Sequence, residues 1–192
     1  EGISFGKNED KMGWKNQPTR TIAFDNCIAP ISNLVGTEGD GFKIAMQGLD
    51  GGRINIASCS LGAARFCIDS CIKYVKERKQ FGKYLKEFQN IQFKIADMVT
   101  NYQAARLMVH SAAMSLDNKE KNTTTNSAMA KRFATDICFK ICNEALQIHG
   151  GYGYLSDFGI EKMVRDCRVH QILEGTNEIM RIIISRNIFG GH

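Results

Sequence analysis

The distribution of helix-breaking residues is the strongest constraint on this chain. No proline follows Pro30, and between Gly62 and Gly150 the one glycine is Gly82. Proline removes a backbone donor and clashes with the preceding turn, and a glycine inside a helix costs about 1 kcal/mol relative to alanine. Residues 1–41 differ, because they hold both prolines and six of the eighteen glycines. The sequence therefore predicts long helices after an N-terminal segment of another kind.

Apolar residues recur at steps of three and four in four segments, which is the spacing of one helix face. The longest stripe comprises Ile91, Ile95, Met98, Tyr102, Ala105, Val109, Ala112 and Leu116. The other three stripes lie in residues 61–75, 130–148 and 179–183. Gly82 and Gly150 follow two of them, as expected at helix C-termini. Four such helices, with a short extra one near residues 160–169, predict a mainly α fold, an antiparallel four-helix bundle.

The N-terminal segment carries one strand signal. Residues 19–24 are rich in β-branched and aromatic side chains and lie between Pro18 and Asp25. Two or three short strands cannot bury a sheet face alone. We therefore expect residues 1–36 to be the end of a β domain whose main part precedes this chain, and residues 37–192 to be a helical bundle domain.

Charge and hydropathy exclude several classes of protein. The chain has 25 Lys and Arg against 20 Asp and Glu, a formal charge of +5, without a run of five or six like charges. This disfavours nucleic-acid binding and leaves small anionic ligands open. No run approaches the roughly 18 apolar residues of a membrane span, and the first residues lack a signal-peptide pattern. The missing initiator Met suggests a processed or excised piece.

The seven cysteines do not predict a disulfide framework. Their number is odd, no Cys-x-x-Cys spacing occurs, and two pairs are four residues apart, on one helix face. Buried cysteine in a helix behaves as a small apolar residue. We therefore expect no thiolate zinc site and an intracellular, reducing compartment.

Two glycine-containing segments are candidate ligand sites. In residues 78–82, basic residues before a glycine are typical of an ordinary helix cap, but Arg78 and Gln80 also offer a cation and an amide to a phosphate or a planar ring. In residues 147–154, three glycines within four residues bring the backbone close to a neighbouring helix or a ligand. His149 there is more typical of a hydrogen-bonded core histidine than of a catalyst. No second His or acid lies at ligand spacing, so we predict no metal site.

Glu174 is the best candidate for a catalytic group. It follows two apolar residues and precedes Gly175, and Thr176 or Asn177 can cap the final helix. An acid near a helix N-terminus is favourable for the helix dipole and needs no catalytic explanation. As a general base, however, it would lie on a short turn beside Leu173, where burial raises the pKa of a carboxylate. From the residues alone both interpretations stay open.

Five motifs, taken together, resemble the successive signatures of the acyl-CoA dehydrogenase family. They are Lys11-Met12-Gly13-Trp14, Glu38-Gly39-Asp40-Gly41-Phe42, Glu77-Arg78-Lys79-Gln80-Phe81-Gly82, His149-Gly150-Gly151-Tyr152-Gly153 and Glu174-Gly175-Thr176. The resemblance spans the whole chain. It implies a homotetrameric FAD enzyme whose subunit has an N-terminal helical, a middle β and a C-terminal four-helix domain. Only the end of the second and the third would be present here, so this segment alone should be a poor catalyst.

Residues 49–64 and 172–174 most resemble the family members that oxidise isobutyryl-CoA to methacrylyl-CoA in valine catabolism. This implies α,β-dehydrogenation of a short branched acyl-CoA, electron transfer to electron-transfer flavoprotein, and a place in the mitochondrial matrix, or in the cytoplasm if the source is bacterial. Members acting on short/branched or short straight chains stay open. So does a truncated, non-enzymatic helical module that only assembles with partners.

The resemblance also implies roles for single residues. Glu174 matches the catalytic base that removes the α-proton of the thioester. The positions that match FAD contacts are Arg78, Gln80, Phe81, Phe88, Gln89, Gln147, Ile148, His149, Gly150, Gly151, Thr176, Asn177 and Glu178. The positions that match acyl-CoA contacts are Asp50, Gly51, Gly52, Arg53 and Arg186.

One departure concerns the position of the base. In isovaleryl- and long-chain-type members the base immediately precedes the arginine that corresponds to Arg53, and here that position is Gly52. With Glu174 present, the resemblance places the base before the last helix and disfavours those two types.

Overall fold

The computed structural model describes residues 1–190. Its five helices are α1 (Gly41–Glu77), α2 (Gln89–Asp117), α3 (Thr123–His149), α4 (Ile160–His170) and α5 (Asn177–Phe189). Two antiparallel ribbons are also present: β1 (Ile3–Phe5) with β2 (Ile22–Phe24), and β3 (Lys79–Gln80) with β4 (Lys83–Tyr84). Short 3₁₀ helices lie in the connections, at Ile31–Asn33, Leu85–Glu87, Gly150–Tyr154 and Ser156–Phe158. The prediction of a mainly α fold is confirmed.

The three long helices run up, down and up. Asp50, near the start of α1, accepts a hydrogen bond from the Thr124 hydroxyl at the start of α3, at 2.7 Å. Tyr74, near the end of α1, donates to the carbonyl of His149 at the end of α3, at 3.4 Å. These contacts make α1 and α3 parallel neighbours, and α2 connects them in the opposite direction.

Contacts with α3 also fix the directions of α2 and α5. Lys94, near the start of α2, pairs with Glu144, near the end of α3. Asn177, the first residue of α5, bonds to Thr135 in the middle of α3, and Ile183 lies further along, beside the start of α3. Both helices are therefore antiparallel to α3, and α1, α2, α3 and α5 form an up-down-up-down bundle.

Small side chains line the contact between α1 and α3. Those with no exposed surface are Ala57, Ala64, Cys67, Cys71, Ala134, Cys138, Cys142 and Ala145. Because the distance between helix axes depends on the side chains between them, these residues let the two helices pack closely. The seven cysteines are free, and burial raises the pKa of the Cys71 thiol to about 12. Among the described residues, no helix is both long and apolar enough to cross a lipid bilayer.

Of the two helix ends predicted from glycines, one is confirmed and the other is wrong. α3 ends immediately before Gly150, which has a positive φ of 59°. α1 ends at Glu77, with Arg78 rather than Gly82 after its last turn, because residues 79–84 form a hairpin that the sequence did not predict and that takes Gly82 into its turn. Its two turn residues, Phe81 and Gly82, both have positive φ, as a tight two-residue hairpin turn requires.

The N-terminal segment is attached to α4. The backbone N–H of Trp14 donates to the Asp166 carboxylate at 2.6 Å, and the indole N–H donates to His170 at 3.0 Å. The strand expected over residues 19–24 is shorter, because the carbonyls of Thr19 and Thr21 accept single bonds outside the regular ladder. The division at residues 36 and 37 stays a prediction, and residues 191–192 of the predicted second domain lie outside the described part.

Candidate active site

Glu174 lies on a tight turn between α4 and α5, which we term the Glu174 turn (residues 171–176). Glu174 has φ 56° and Gly175 has φ 87°, so two successive residues adopt the left-handed conformation. For a residue with a Cβ this conformation is strained by about 1–3 kcal/mol and persists only when the surroundings impose it. The backbone N–H of Asn177 donates to the carbonyl of Gln171 at 3.0 Å and closes the turn. The Thr176 side chain caps α5.

The carboxylate of Glu174 lies against α1 at Gly52. A Cβ built on Gly52 would be 2.4 Å from Glu174 Oε2 and 2.8 Å from Cδ. A side chain at this position would therefore force the carboxylate to move from its present place. The half-buried Glu174 side chain therefore occupies the space that a side chain at position 52 of α1 would fill. Position 52 is where the resemblance places the base of the isovaleryl- and long-chain-type members.

Three residues of α3 bond to the Glu174 turn and to Asn177, and we term them the α3 platform: Lys131, Thr135 and Asp136. The Lys131 ammonium donates to the carbonyl of Gly175 at 2.8 Å and to the side-chain oxygen of Asn177 at 2.9 Å. The side-chain NH₂ of Asn177 donates to the Thr135 hydroxyl at 3.0 Å and to the Asp136 carboxylate at 2.8 Å. Sequence reasoning missed this platform.

The predicted substrate residues do not all face Glu174. The half-buried Asp50 and the buried Arg53 form an ion pair with a distance of 2.9 Å. They line a cavity of about 530 Å³ whose other walls include Thr124 and Ile183. At 3.6 residues per turn, Gly52 points roughly 160° away from Asp50 and 100° away from Arg53. The structure thus places Gly52 at the carboxylate and the ion pair at a separate cavity.

The remaining two substrate candidates lie near these features. Gly51 is half-buried on α1, and a Cβ built there would only touch Leu116, at 3.9 Å. Arg186 is exposed on α5, one turn after Ile183 and therefore on the same helix face. Arg186 is not among the residues that line the cavity of Asp50 and Arg53, and its assignment to the substrate stays a prediction.

The two glycine-containing segments meet at a second cavity of about 430 Å³. It is lined by Tyr74, Arg78, Gln80, Leu85, Ile148, His149, Gly150, Gly151, Tyr152 and Leu155. The family resemblance implies FAD contacts in both segments, with residues 147–151 supporting the FAD of a neighbouring subunit, and the structure brings the two segments together. The Arg78 guanidinium lies 5.2 Å from the centre of the Tyr152 ring. Apart from the adjoining backbone, no atom of residues 1–190 lies within 4 Å of a Cβ built on Gly150 or Gly151.

His149 has a defined orientation in this cavity. Its Nδ1 lies 2.8 Å from the carbonyl of Ala145 and therefore carries the proton that it donates. Its ring stacks on Tyr74 with centroids 4.4 Å apart. Burial lowers the pKa of His149, although the bond to Ala145 opposes the shift, so the ring is neutral at pH 7. His149 thus serves as a packed wall of the cavity.

The other predicted FAD contacts are distributed over three places. Phe81 is exposed at the hairpin tip, and Gln147 is exposed on the last turn of α3. Phe88 and Gln89 lie at the start of α2, beyond Leu85 of the cavity wall. Residues 176–178 begin α5 next to the Glu174 turn, where the Asn177 side chain is fully engaged with the α3 platform and Glu178 is exposed.

The 430 Å³ cavity has the chemistry to hold part of an FAD molecule. A guanidinium, a side-chain amide and two glycines whose backbone is open to close approach suit a pyrophosphate and its adjoining groups. An aromatic residue, Tyr152, adds a surface on which a planar ring can stack. These residues fit the cofactor that the resemblance implies. In residues 1–190, no group of three or more His, Cys, Asp or Glu is placed to hold a metal ion.

The sequence is similar to that of acyl-CoA dehydrogenases over most of its length. Residues 39–189 match the family model described as acyl-CoA dehydrogenase, C-terminal domain. The chain is 54% identical over 187 residues to the mitochondrial isobutyryl-CoA dehydrogenase of Bos taurus, covering 97% of this chain and 45% of that protein. It is 49% identical over 185 residues to the caffeyl-CoA reductase-Etf complex subunit CarC of Acetobacterium woodii, covering 96% of this chain and 48% of that protein.

Solved structures show the same architecture. The butyryl-CoA dehydrogenase from Megasphaera elsdenii superposes with a TM-score of 0.94 at 42% identity, covering 97% of this chain and 49% of that one. The chain spans about half the length of the curated relatives that it matches.

Proposed function

The chain belongs to the acyl-CoA dehydrogenase family, whose members are FAD-dependent enzymes, and we propose that the whole protein dehydrogenates a short branched acyl-CoA. The observation that carries this proposal is the Glu174 carboxylate, which a strained turn holds against the bare backbone of Gly52. A carboxylate carried on a held turn and placed beside a glycine is suited to remove one proton from a bound substrate.

The chemistry of a thioester fits such a base. Conjugation with the thioester carbonyl acidifies the α-carbon, and Glu174 would take the α-proton on its free carboxylate oxygen. Within residues 1–190 the amide of Glu174 has no backbone acceptor, so it can donate to the thioester carbonyl as negative charge develops there. When bound, FAD supplies the acceptor for the hydride that leaves the β-carbon.

Isobutyryl-CoA is the substrate that we propose, with methacrylyl-CoA as the product. The 54% identity to a mitochondrial isobutyryl-CoA dehydrogenase supports it, as does the match of residues 49–64 and 172–174. A short/branched-chain or short-chain acyl-CoA is the alternative. The 49% identity to a reductase subunit supports a second candidate, the reverse reaction, in which the same site reduces an α,β-unsaturated acyl-CoA.

Assembly and partners are part of the same proposal. One face of α2 is apolar yet exposed, with Phe93 at 59%, Leu107 at 70% and Met114 at 64% exposure. A second copy of α2 would cover this stripe, in keeping with a homotetramer. The name of the Acetobacterium woodii relative includes an Etf complex, which supports electron-transfer flavoprotein as the electron acceptor. The mitochondrial relative supports a matrix location, and a bacterial source would place the protein in the cytoplasm.

We also propose that residues 1–36 end a middle β domain. The family model begins at residue 39, close to the expected boundary at 37. Ile3, Phe5, Ile22 and Phe24 of the β1–β2 ribbon are all about half exposed or more, so their apolar surface is available to further β structure.

An anaerobic titration of the full-length protein tests the reaction. The protein is purified with its flavin, isobutyryl-CoA is added without oxygen, and bleaching of the flavin absorbance is followed beside Glu174→Gln. Exposed Glu120→Gln serves as the matched control. Bleaching in the parent and the control but not in Glu174→Gln is expected.

The other outcomes are equally informative. Flavin that is retained but not bleached would reject isobutyryl-CoA, and 2-methylbutyryl-CoA and butyryl-CoA would then be compared. Oxidation of chemically reduced enzyme by methacrylyl-CoA, without bleaching in the forward direction, would favour the reductase. Absence of flavin would favour a non-enzymatic helical module.

A further inference from the structure

We propose that Lys131 is a positioning residue for Glu174, acting through the backbone of the turn on which the base lies. The inference rests on the proposed function, because it concerns the same carboxylate. It adds a residue of α3 that lines neither the 430 Å³ cavity nor the Asp50–Arg53 cavity and that forms no ion pair within residues 1–190.

In the described part of the chain, the hydrogen bonds of the Lys131 ammonium go to the Glu174 turn and to Asn177, the residue that follows it. The side chain has no exposed surface, and its two acceptors are the carbonyl of Gly175 and the amide oxygen of Asn177. Gly175 is covalently attached to Glu174, so the 2.8 Å bond fixes the peptide next to the base. Asn177 begins α5, so the second bond fixes the other side of the turn.

The cost of burying the Lys131 charge argues for a role beyond packing. Both acceptors are neutral, and a buried ammonium without a bonded carboxylate is costly, which lowers the pKa of Lys131 to about 8. The charges of Asp136, Glu178 and Glu174 raise the pKa of Lys131 and that of Arg53 lowers it, but burial outweighs them. An apolar side chain would avoid this cost, so the site retains the cation for the bonds that it makes.

The turn needs such a clamp because of its backbone. Glu174 and Gly175 both have positive φ, and a glutamate does not favour this region on its own. Asp136 accepts hydrogen bonds from Gln171 and from Asn177, both at 2.8 Å, and so fixes the two ends of the turn. Lys131 fixes its middle. Without Lys131 the ends stay attached and the peptide that carries Glu174 is released.

The effect is best measured on proton transfer alone. Acetyl-CoA has α-hydrogens but no β-carbon, so an enzyme of this kind can exchange its α-protons with D₂O but cannot dehydrogenate it. We expect Lys131→Met in the full-length holoenzyme to lower this exchange rate by about 10- to 100-fold at saturating acetyl-CoA, since a base misplaced by about 1 Å loses that much. Flavin content and the Kd for acetyl-CoA should stay within twofold of the parent.

The controls separate positioning from stability. Lys140→Met makes the same change at an exposed position of α3 and should leave the exchange unchanged. Should Lys131→Met not fold, Thr135→Val removes an acceptor of the Asn177 amide and should lower exchange several-fold in a folded protein. Because Gly52→Ala also moves Glu174, its effect and that of Lys131→Met should be less than multiplicative in the double variant.

The outcomes distinguish this inference from the proposed function. If the parent exchanges protons, Glu174→Gln does not, and Lys131→Met exchanges at the parental rate, the positioning role of Lys131 is refuted and the proposed function stands. Multiplicative effects with Gly52→Ala would also refute it. If the parent itself shows no exchange that depends on Glu174, the proposed function fails first.

Discussion

Replacing Gly52 with Ala adds one methyl group at the point where α1 touches the base. The new Cβ would lie 2.4 Å from Glu174 Oε2, whereas an ordinary carbon–oxygen contact is about 3.4 Å. The carboxylate must therefore retreat by about 1 Å. It can do so cheaply, because it is the free end of a flexible side chain and α1 is a rigid helix held by its neighbours.

The size of the effect follows from this displacement. A shift of about 1 Å in a reacting group can cost a factor of about 100 in rate, which corresponds to about 2.7 kcal/mol in activation free energy. Stability should change in the opposite direction, because alanine is favoured over glycine inside a helix by about 0.5–1 kcal/mol. The variant should therefore be folded, flavin-loaded, slightly more stable and about 100-fold slower.

Rapid-mixing measurement of flavin reduction by isobutyryl-CoA under anaerobic conditions gives the rate. Gly62→Ala is the matched control, since Gly62 lies on the same helix, is exposed and has no atom within 4 Å of its built Cβ. It should show the same gain in stability with the parental rate. A Gly52→Ala variant that reduces its flavin within twofold of the parental rate would refute the argument that this glycine makes room for the base.

Three further predictions concern binding and stability. Arg78→Ala removes the cation of the 430 Å³ cavity, and since a hydrogen bond to a charged group contributes about 1.5–3 kcal/mol, FAD affinity should fall roughly 10- to 150-fold in a fluorescence titration of the apoprotein. The pKa of Lys131 is about 8 in the folded chain and 10.5 ordinarily, so the unfolded chain binds more protons between pH 8 and pH 10.5. The free energy of unfolding should therefore rise over this range. Urea unfolding of Lys131→Met should lack this rise. Trp14→Phe leaves the buried His170 without its donor and should lower the unfolding free energy by about 1–3 kcal/mol, and an unchanged urea midpoint would contradict the importance of that bond.

The helices could be predicted from the sequence because their signals are local. Steps of three and four in apolar residues located α2, and the glycine after His149 marked the end of α3. The hairpin at residues 79–84 could not be predicted in the same way. Gly82 suits a turn, but Phe81 in a left-handed conformation has no signal in composition. The bond between Trp14 and His170 spans 156 positions, and no local pattern indicates it.

The candidate site shows the same limit at a finer scale. Lys131 lies in a row with Thr135, Cys138 and Cys142, at steps of four, three and four, and all of these small neighbours are buried. A lysine in such a row can be predicted to be buried, because the row continues into the core of the bundle. Its acceptors could not be predicted, since they come from a turn more than forty positions later, whose backbone conformation is strained. The motif around Glu174 identifies the base, whereas the residue that holds the base depends on how α3 and that turn pack together.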